Sequence, residues 1–567
     1  MSLKRLAYRI IETDVIVMGG GVGGCPAAAK AAEKGLRVTL VEKAKTDRSG
    51  HSGVGMDHVM DFPREGVSEL DYVRYWQGRH KLLCGEGRVV NANIGYRLGR
   101  EAWWGLAEME KMGLEMKWDD GEYHWVRHGW FGAKIMLGVH WLNVKPTLAS
   151  IVRKRGVNVL ERTMIVDLLT HGNRVIGACA VDTRTGEFIV IKAPAVVIAT
   201  GGFARCYDPE TPSFYKYKMR YHGAPGAVSG DGYAAAYRAG AELVNMDIGT
   251  AWNYRCRDDI TLDFGVIDHG DGIRGKWLTW RGEEIPFPTA GIYNQIEQHG
   301  LDPIYCSVEH FPDDYLKRAE VTMADERLIS LKLGADRGFN PRTHRYELME
   351  NKPLNFAAIA GLNADENFRT SLNGLFVIGD ACCGLGGCGS AIISGLLTAD
   401  SLPEYIGKSA SPDIDEGQVE GCRRLSMAPL SVQDGTEPME LECAIRYICE
   451  RYVGMAISEG KLREGLRRLN SLRREFLPRL MARNPHYLMR CLEVRNIMDL
   501  AELHMLACLE RKESRGNFIR TDYPAQDRAR DSMLTFQSMK NGKALLEVRE
   551  IPDLHAEYFK QEGSHGS

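Results

Sequence analysis

The chain predicts a doubly wound α/β fold, interrupted by an inserted α+β capping domain and followed by a C-terminal helical domain. Three observations predict it. A strand–turn–helix–strand unit opens the sequence, with Gly19, Gly21 and Gly24 at its first turn. Two further buried-strand runs, 195–199 and 374–378, stop at Thr200-Gly201-Gly202 and Gly379-Asp380, and a doubly wound sheet places its ligand at such carboxyl ends. Beyond residue 438, apolar residues recur at three- or four-residue steps, the period of a helix. The expected boundaries are 1–248 and 351–407 for the two parts of the α/β domain, 249–350 for the cap, 408–438 for a linker and 439–567 for the helical domain.

Taken in order, Asp14-Val15-Ile16-Val17-Met18 is a buried-strand run leading into Gly19-Gly20-Gly21-Val22-Gly23-Gly24. Ala27, Ala28, Ala29, Ala31 and Ala32 then build a small-residue helix ending at Gly35, and Val38-Thr39-Leu40-Val41 is the next strand, ending on Glu42. This is a βαβ unit of Rossmann type, with an acid 18 residues beyond the last glycine of the turn. Its chemistry follows from its parts. Glycines let the backbone approach a pyrophosphate, the helix N-terminus supplies N–H groups and a positive dipole, and Glu42 can accept from both ribose hydroxyls. Residues 175–181 and 188–191 predict a hairpin joined by 182–187. Between 249 and 350 charges, aromatics and turns intermix without a period, which predicts the inserted cap. Ser-Pro, Asp-Gly and Glu-Pro breaks predict the linker at 408–438. Helices follow from Leu441, Ile445, Ile448 and Tyr452, from Leu462, Leu466 and Leu469, and from Met498, Leu500, Leu503 and Leu506.

Composition narrows the function. The chain has 567 residues, and 72 basic against 75 acidic side chains leave a net charge of -3. That balance supplies no field for nucleic acid. No apolar run approaches the roughly 20 residues that span a bilayer, and the N-terminus has no long apolar region before a cleavage site, so a cytoplasmic protein without a transmembrane segment is expected. Fourteen cysteines are dilute at this length and no CxxC occurs, so no metal or iron–sulfur site is expected within the chain. Cys382, Cys383 and Cys388 read as small side chains against a glycine-rich turn. In the cluster Trp118, His124, Trp125, His128, Trp130, His140 and Trp141, a helix would place His124 and His128 on one face. Metal ligation, lining of a pocket and plain packing all remain open there.

The motifs together resemble the FAD-bearing flavoprotein subunits of fumarate reductase and succinate dehydrogenase, and the adenylylsulfate reductase alpha subunit. The matching pieces are residues 15–21, Val41-Glu42-Lys43 with Arg48-Ser49-Gly50, residues 199–202, Ser229-Gly230-Asp231-Gly232 with Arg238-Ala239-Gly240, Asp365-Glu366-Asn367 through to Gly379-Asp380-Ala381, and Arg511-Lys512-Glu513-Ser514-Arg515-Gly516 with residues 520–524. The resemblance implies FAD held by Gly19, Gly21, Gly23, Gly24, Glu42, Lys43, Ser49, Gly50, Thr200, Gly201, Asp231, Gly379, Asp380, Ser390 and Ile392. Ser390 is expected to cap a helix aimed at the negative edge of reduced flavin. Asp231 and Asp380 read either as acceptors for ribityl or ribose hydroxyls or as ordinary turn and cap residues.

Departures from the family are informative. Succinate dehydrogenases carry a histidine after the Arg-Ser pair that bonds covalently to FAD. Gly50 stands there, as in adenylylsulfate reductases, which implies noncovalent FAD. The two histidines and the arginine that clamp a dicarboxylate fall at Trp252, Phe356 and near Gly389, and each lost charged hydrogen bond removes about 1.5–3 kcal/mol. Fumarate and succinate are therefore poor candidates. Catalytic candidates on the cap are Arg255, Trp252 and Arg281, beside Arg257, Arg274 and Lys276. Trp252 reads equally as a packing aromatic and Arg255 as a surface ion-pair residue. The resemblance implies a hetero-oligomer in which electrons pass through a ferredoxin-like iron–sulfur subunit, with a small anionic molecule as substrate. Two other readings remain open: a reductase or dehydrogenase of a carbon–carbon double bond acting on a non-dicarboxylate, and a non-catalytic electron-transfer subunit.

Overall fold

The computed structural model describes residues 7, 9–56, 58, 59, 67, 68, 72, 90–126, 136–203, 205, 206, 226–248, 254–256, 268, 269, 273–285, 300, 301, 303–313, 316, 317, 336, 338, 340, 342–350, 359–409, 413–454, 456–516, 518–540 and 542–555. Five parallel strands form the central sheet, in the spatial order Leu375–Val377, Ala195–Ile198, Val15–Met18, Val38–Glu42, Asn158–Glu161. Val17 sits between Leu40 and Val197 in the ladder. The middle strands are buried at every position, which is why they read as continuous apolar runs and not as alternating ones. Helix Gly24–Glu33 returns the chain from the first of these strands to the second and packs on helix Cys388–Gly407. That contact needs small residues: a Cβ on Gly395 would lie 2.6 Å from the Gly23 carbonyl oxygen.

The predicted hairpin is present as Arg174–Asp182 against Phe188–Lys192, in a four-stranded sheet with Arg9–Glu12 and Thr163–His171. In the 249–350 region, strands Tyr254–Cys256, Arg345–Glu350, Ile304–Ser307, Lys276–Leu278 and Glu284–Ile285 make one antiparallel sheet. C-terminal helices run over Pro438–Tyr452, Glu459–Glu475 and Pro485–Glu510.

Four features differ from the expectations. The 408–438 stretch holds a helix, Glu416–Met427, whose Asp415 side chain accepts from the Gly417 N–H and which buries Val419 and Cys422. The breaks at Asp434-Gly435 and Glu437-Pro438 follow this helix and do not dissolve it. The C-terminal part is not purely helical: Leu534–Lys540 and Lys543–Arg549 form a hairpin that pairs with Leu243–Val244. It also shares its core with the α/β domain, because Val17, Ile198, Leu396, Leu441, Leu469 and Leu500 belong to one apolar cluster. Finally, His124 lies on a strand, His124–Val126, with its ring stacked on Trp118 and bonded to Asp120 at 2.7 Å. A shared helical face with His128 is thereby removed, and His128 and Trp130 lie outside the described residues. Among the described residues no group of His, Cys, Asp and Glu could hold a metal ion, and no helix is long and apolar enough to cross a membrane.

Candidate functional site

The site is built where the first strand stops. Gly19 turns the chain with φ of +108°, and a Cβ there would stand 2.5 Å from the Ala199 carbonyl oxygen. A Cβ on Gly24 would meet the Gly19 carbonyl oxygen, and one on Gly23 would come within 2.9 Å of the Ala391 carbonyl. These three glycines are thus required by the packing of turn, strand and helix. Gly21 differs: nothing lies within 4 Å of its Cβ position, so it borders the space a ligand can enter.

Glu42 ends the second strand and is 7% exposed. Its Oε2 accepts from the Gly20 N–H and its Oε1 from the Ala44 N–H, both at 2.7 Å. A carboxylate has about four lone-pair directions, so each oxygen retains one for a ribose hydroxyl. Ser49 donates to the Gly20 carbonyl at 3.2 Å, and Gly50, with φ of +77°, brings its backbone against Gly21. At the end of the strand Ala195–Ile198, Thr200 Oγ1 is buried with no hydrogen-bond partner among the described residues, and Gly201 is open with φ of +70°. A buried hydroxyl left without a partner is costly. Together with the open backbone at Gly21 and Gly201, this orphan fits an absent polar ligand lying across the carboxyl edge of the sheet.

On the other side, Gly379 starts a short turn, Gly379–Ala381, and its N–H donates to Ser394 Oγ. Asp380 accepts from the Gly387 N–H at 3.2 Å, and its backbone carbonyl accepts from the Tyr233 hydroxyl. Gly387, not Ser390, caps the helix Cys388–Gly407, and Ser390 Oγ donates back to the Gly387 carbonyl at 3.0 Å. The helix starts earlier than expected because glycine at 387 can take φ of +110°. The orphan N–H groups of its first turn remain the feature that favours negative charge. Ile392 is fully buried behind them. His51 sits near Asp380; burial pushes its imidazole below the usual range and the carboxylate opposes that.

Lys43 and Asp231 have a different surrounding. Lys43 Nζ donates to Ser229 Oγ and Asp231 Oδ2, each at 2.7 Å, and to Glu493 Oε1 at 2.6 Å. Asp231 also accepts from Ser229 and from Asn496. Glu493 binds Arg205 and Arg490, which with Arg446 hold Glu442. Burial works against the charge of Lys43, but Asp231 and Glu493 more than offset it and raise its pKa. Burial likewise opposes ionisation of Glu493, yet Lys43, Arg205 and Arg490 bring its pKa down to about 2. This network ties the residue after Glu42 to the C-terminal helices. Its partners Arg205, Glu442 and Glu493, and also Lys145, whose ammonium donates to the Gly20 carbonyl, escape sequence reasoning because they sit in no motif.

The catalytic candidates Arg255 and Arg281 both fall in the 249–350 region. Arg255 lies on a strand paired with Met349, and Arg281 occupies an exposed turn over the Trp280 ring. Trp252 and Phe356 lie outside the described residues.

A parallel sheet with this glycine turn, acid and orphan hydroxyl defines a dinucleotide-binding protein. Comparison with known proteins supplies the domains. Residues 14–251 match the FAD binding domain, and residues 444–558 match the fumarate reductase flavoprotein C-terminal domain. The L-aspartate oxidase of Yersinia pestis is 25% identical over 91% of this chain and 96% of its own. One component of the CoM/CoB fumarate reductase of Methanothermobacter marburgensis is 24% identical over 91% and 95%. The structure of adenylylsulfate reductase from Archaeoglobus fulgidus superposes with a TM-score of 0.81 at 24% identity, covering 96% of both chains. The chain carries both of these flavoprotein domains and is an FAD-dependent oxidoreductase.

Proposed function

We propose that the chain is an alpha-like flavoprotein subunit, resembling that of adenylylsulfate reductase, which works on a small anionic substrate and passes electrons to or from a ferredoxin-like iron–sulfur partner. The observation that carries this reading is Gly50. It holds φ of +77° with its Cβ position 3.4 Å from Gly21 Cα, where covalent dicarboxylate relatives carry histidine. Bound FAD supplies transfer of a hydride or electron pair. In this reading Glu42 accepts from the ribose hydroxyls, the Gly21 N–H and Thr200 hydroxyl donate to the cofactor, and the first turn of helix Cys388–Gly407 faces negative charge with its N–H groups. Arg255 on the cap holds the substrate anion bidentately, as lysine could not. The similarity to fumarate reductase favours as second reading a reductase or dehydrogenase of a carbon–carbon double bond, with a non-dicarboxylate as substrate because Trp252, Phe356 and Gly389 stand where the carboxylate clamps would.

The test combines release and turnover. Acid should free intact FAD from the yellow protein, and colour that stays with the polypeptide would refute the assignment at Gly50. With AMP, sulfite and an artificial electron acceptor, Arg255→Leu should keep FAD bound while turnover falls roughly 30- to 1000-fold, from about 2–4 kcal/mol of lost stabilisation. Inactive wild-type protein with these substrates, and activity with an unsaturated acid, would favour the second reading.

A further inference from the structure

The glycine turn is held from behind by a lysine that belongs to no motif. Lys145 lies in the first turn of helix Val144–Lys154 and is 1% exposed. Both placements are unfavourable for a cation: burial removes its water, and a helix N-terminus presents the positive end of the dipole. What the ammonium meets accounts for it. It donates to the carbonyl oxygen of Gly20 and lies 3.8 Å from Cys25 Sγ. The same carbonyl accepts from Cys25 Sγ at 3.1 Å and from Ser49 Oγ at 3.2 Å. Of these three donors only Lys145 carries a full charge, and charge-assisted bonds are about twice as strong as neutral ones.

The Gly20 residue is therefore fixed at both ends, its N–H by Glu42 and its C=O by Lys145. A trans peptide is planar, so the C=O of one residue and the N–H of the next point in opposite directions. Drawing the Gly20 carbonyl toward Lys145 turns the Gly21 N–H away from it. Among the described residues that N–H has no protein acceptor, and no atom lies within 4 Å of the Gly21 Cβ position. The geometry points to Lys145 as a positioning residue: by holding the Gly20 carbonyl, it presents the Gly21 N–H to the pyrophosphate of the dinucleotide. The inference rests on FAD binding at this turn. It explains why a cation is buried beneath a loop whose own side chains are nearly all hydrogen.

Titration of the flavin-free protein with FAD and with ADP tests it, since ADP carries the adenosine and pyrophosphate without the flavin. In Lys145→Met both affinities should fall by the same factor, roughly 10- to 100-fold, the range for one lost charge-assisted bond. The flavin-free variant should melt no lower than wild type, because an apolar chain of similar length replaces a buried charge, while FAD raises its melting temperature by less. Lys145→Gln, a donor without charge, should fall between. Affinities within threefold of wild type in Lys145→Met would overturn the role, as would lost FAD binding with ADP untouched. A lower flavin-free melting point with an unchanged FAD increment would make Lys145 merely structural. Wild-type protein that binds neither ligand would instead remove the FAD assignment. Should the variants not fold, hydrogen exchange of wild-type residues 19–24 decides: ADP should slow exchange at Gly21, and unchanged exchange overturns the inference.

Discussion

Glu493→Gln is the sharpest probe of how the C-terminal helices are joined to the α/β domain. Among the described residues, the buried network contains four cations, Lys43, Arg205, Arg446 and Arg490, against three anions, Asp231, Glu442 and Glu493. Removing one carboxylate leaves Lys43, Arg205 and Arg490 facing an amide in a site that is 1% exposed. Breaking a buried pair on one side costs about 3–5 kcal/mol. A protein of 567 residues at about 2.1 cal/mol/K per residue unfolds with an entropy of about 1.2 kcal/mol/K, so the melting temperature should drop by about 3 °C if the chain melts as one unit. The acid limb gives a second reading. The carboxyl pKa lies at about 2 in the folded protein against 4.5 ordinarily. A depressed carboxylate stabilises fully above its unfolded pKa, and this is lost as pH falls from about 5 to 2, worth about 3 kcal/mol. Scanning calorimetry of wild type and variant across that window should show the loss only in wild type. A variant melting within 1 °C of wild type at pH 7, with the same acid limb, would refute the energetic role given to this network.

Two further outcomes are expected. Glu42→Ala should weaken FAD binding by about 1–3 kcal/mol through loss of charge-assisted bonds, measured by fluorescence titration; unchanged occupancy would count against Glu42 as the ribose acceptor. His504 Nδ1 donates to the Met246 carbonyl at 2.7 Å, and burial lowers the pKa of its ring to about 4 from 6.5. The unfolded chain then binds a proton that the folded one refuses, so stability falls by about 3 kcal/mol as pH drops from 6.5 to 4. His504→Asn, which retains a donor, should flatten that part of the stability profile; an unchanged slope in urea titrations would show the histidine plays no part in it.

The βαβ unit was legible because its chemistry is local: strand, glycine turn, small-residue helix and Glu42 all fall between residues 14 and 42, and each has one physical job. The strands at 195–198 and 375–377 were legible for the same reason, as continuous apolar runs buried on both faces. The Glu416–Met427 helix escapes such reading because turn-forming residues near it dominate the local signal, while only Val419, Cys422 and Ser426 are buried. The hairpin of Leu534–Lys540 and Lys543–Arg549 escapes it because its second strand is mostly exposed and the edge that joins it to a sheet is Leu243–Val244, far away in the chain. Ser390 misleads for a physical reason also: serine favours N-caps, but Gly387 three residues earlier can adopt the positive φ that starts this helix.

Neighbouring residues at the end of the second strand serve opposite purposes, and this shapes how the site is held. Glu42 turns its carboxylate toward the glycine turn and keeps lone pairs for a ligand, whereas Lys43 turns its ammonium away, into Asp231 and Glu493. The strand ends on Glu42, and the chain bends at Lys43, so the two side chains leave in different directions. Asp231 is then committed on both oxygens to Lys43, Ser229 and Asn496, so its motif position is accounted for by the joint between helix Asp231–Ala239 and helix Pro485–Glu510. The same logic applies to Lys145 beneath Gly20. Lys145 fixes the backbone that borders the ligand space, and Lys43 ties the strand end to side chains of the C-terminal helices, while the space itself is left to glycine N–H groups, one orphan hydroxyl and one carboxylate. A site made this way depends on residues far from it in sequence, which is why its motif is short and its support is spread over the whole chain.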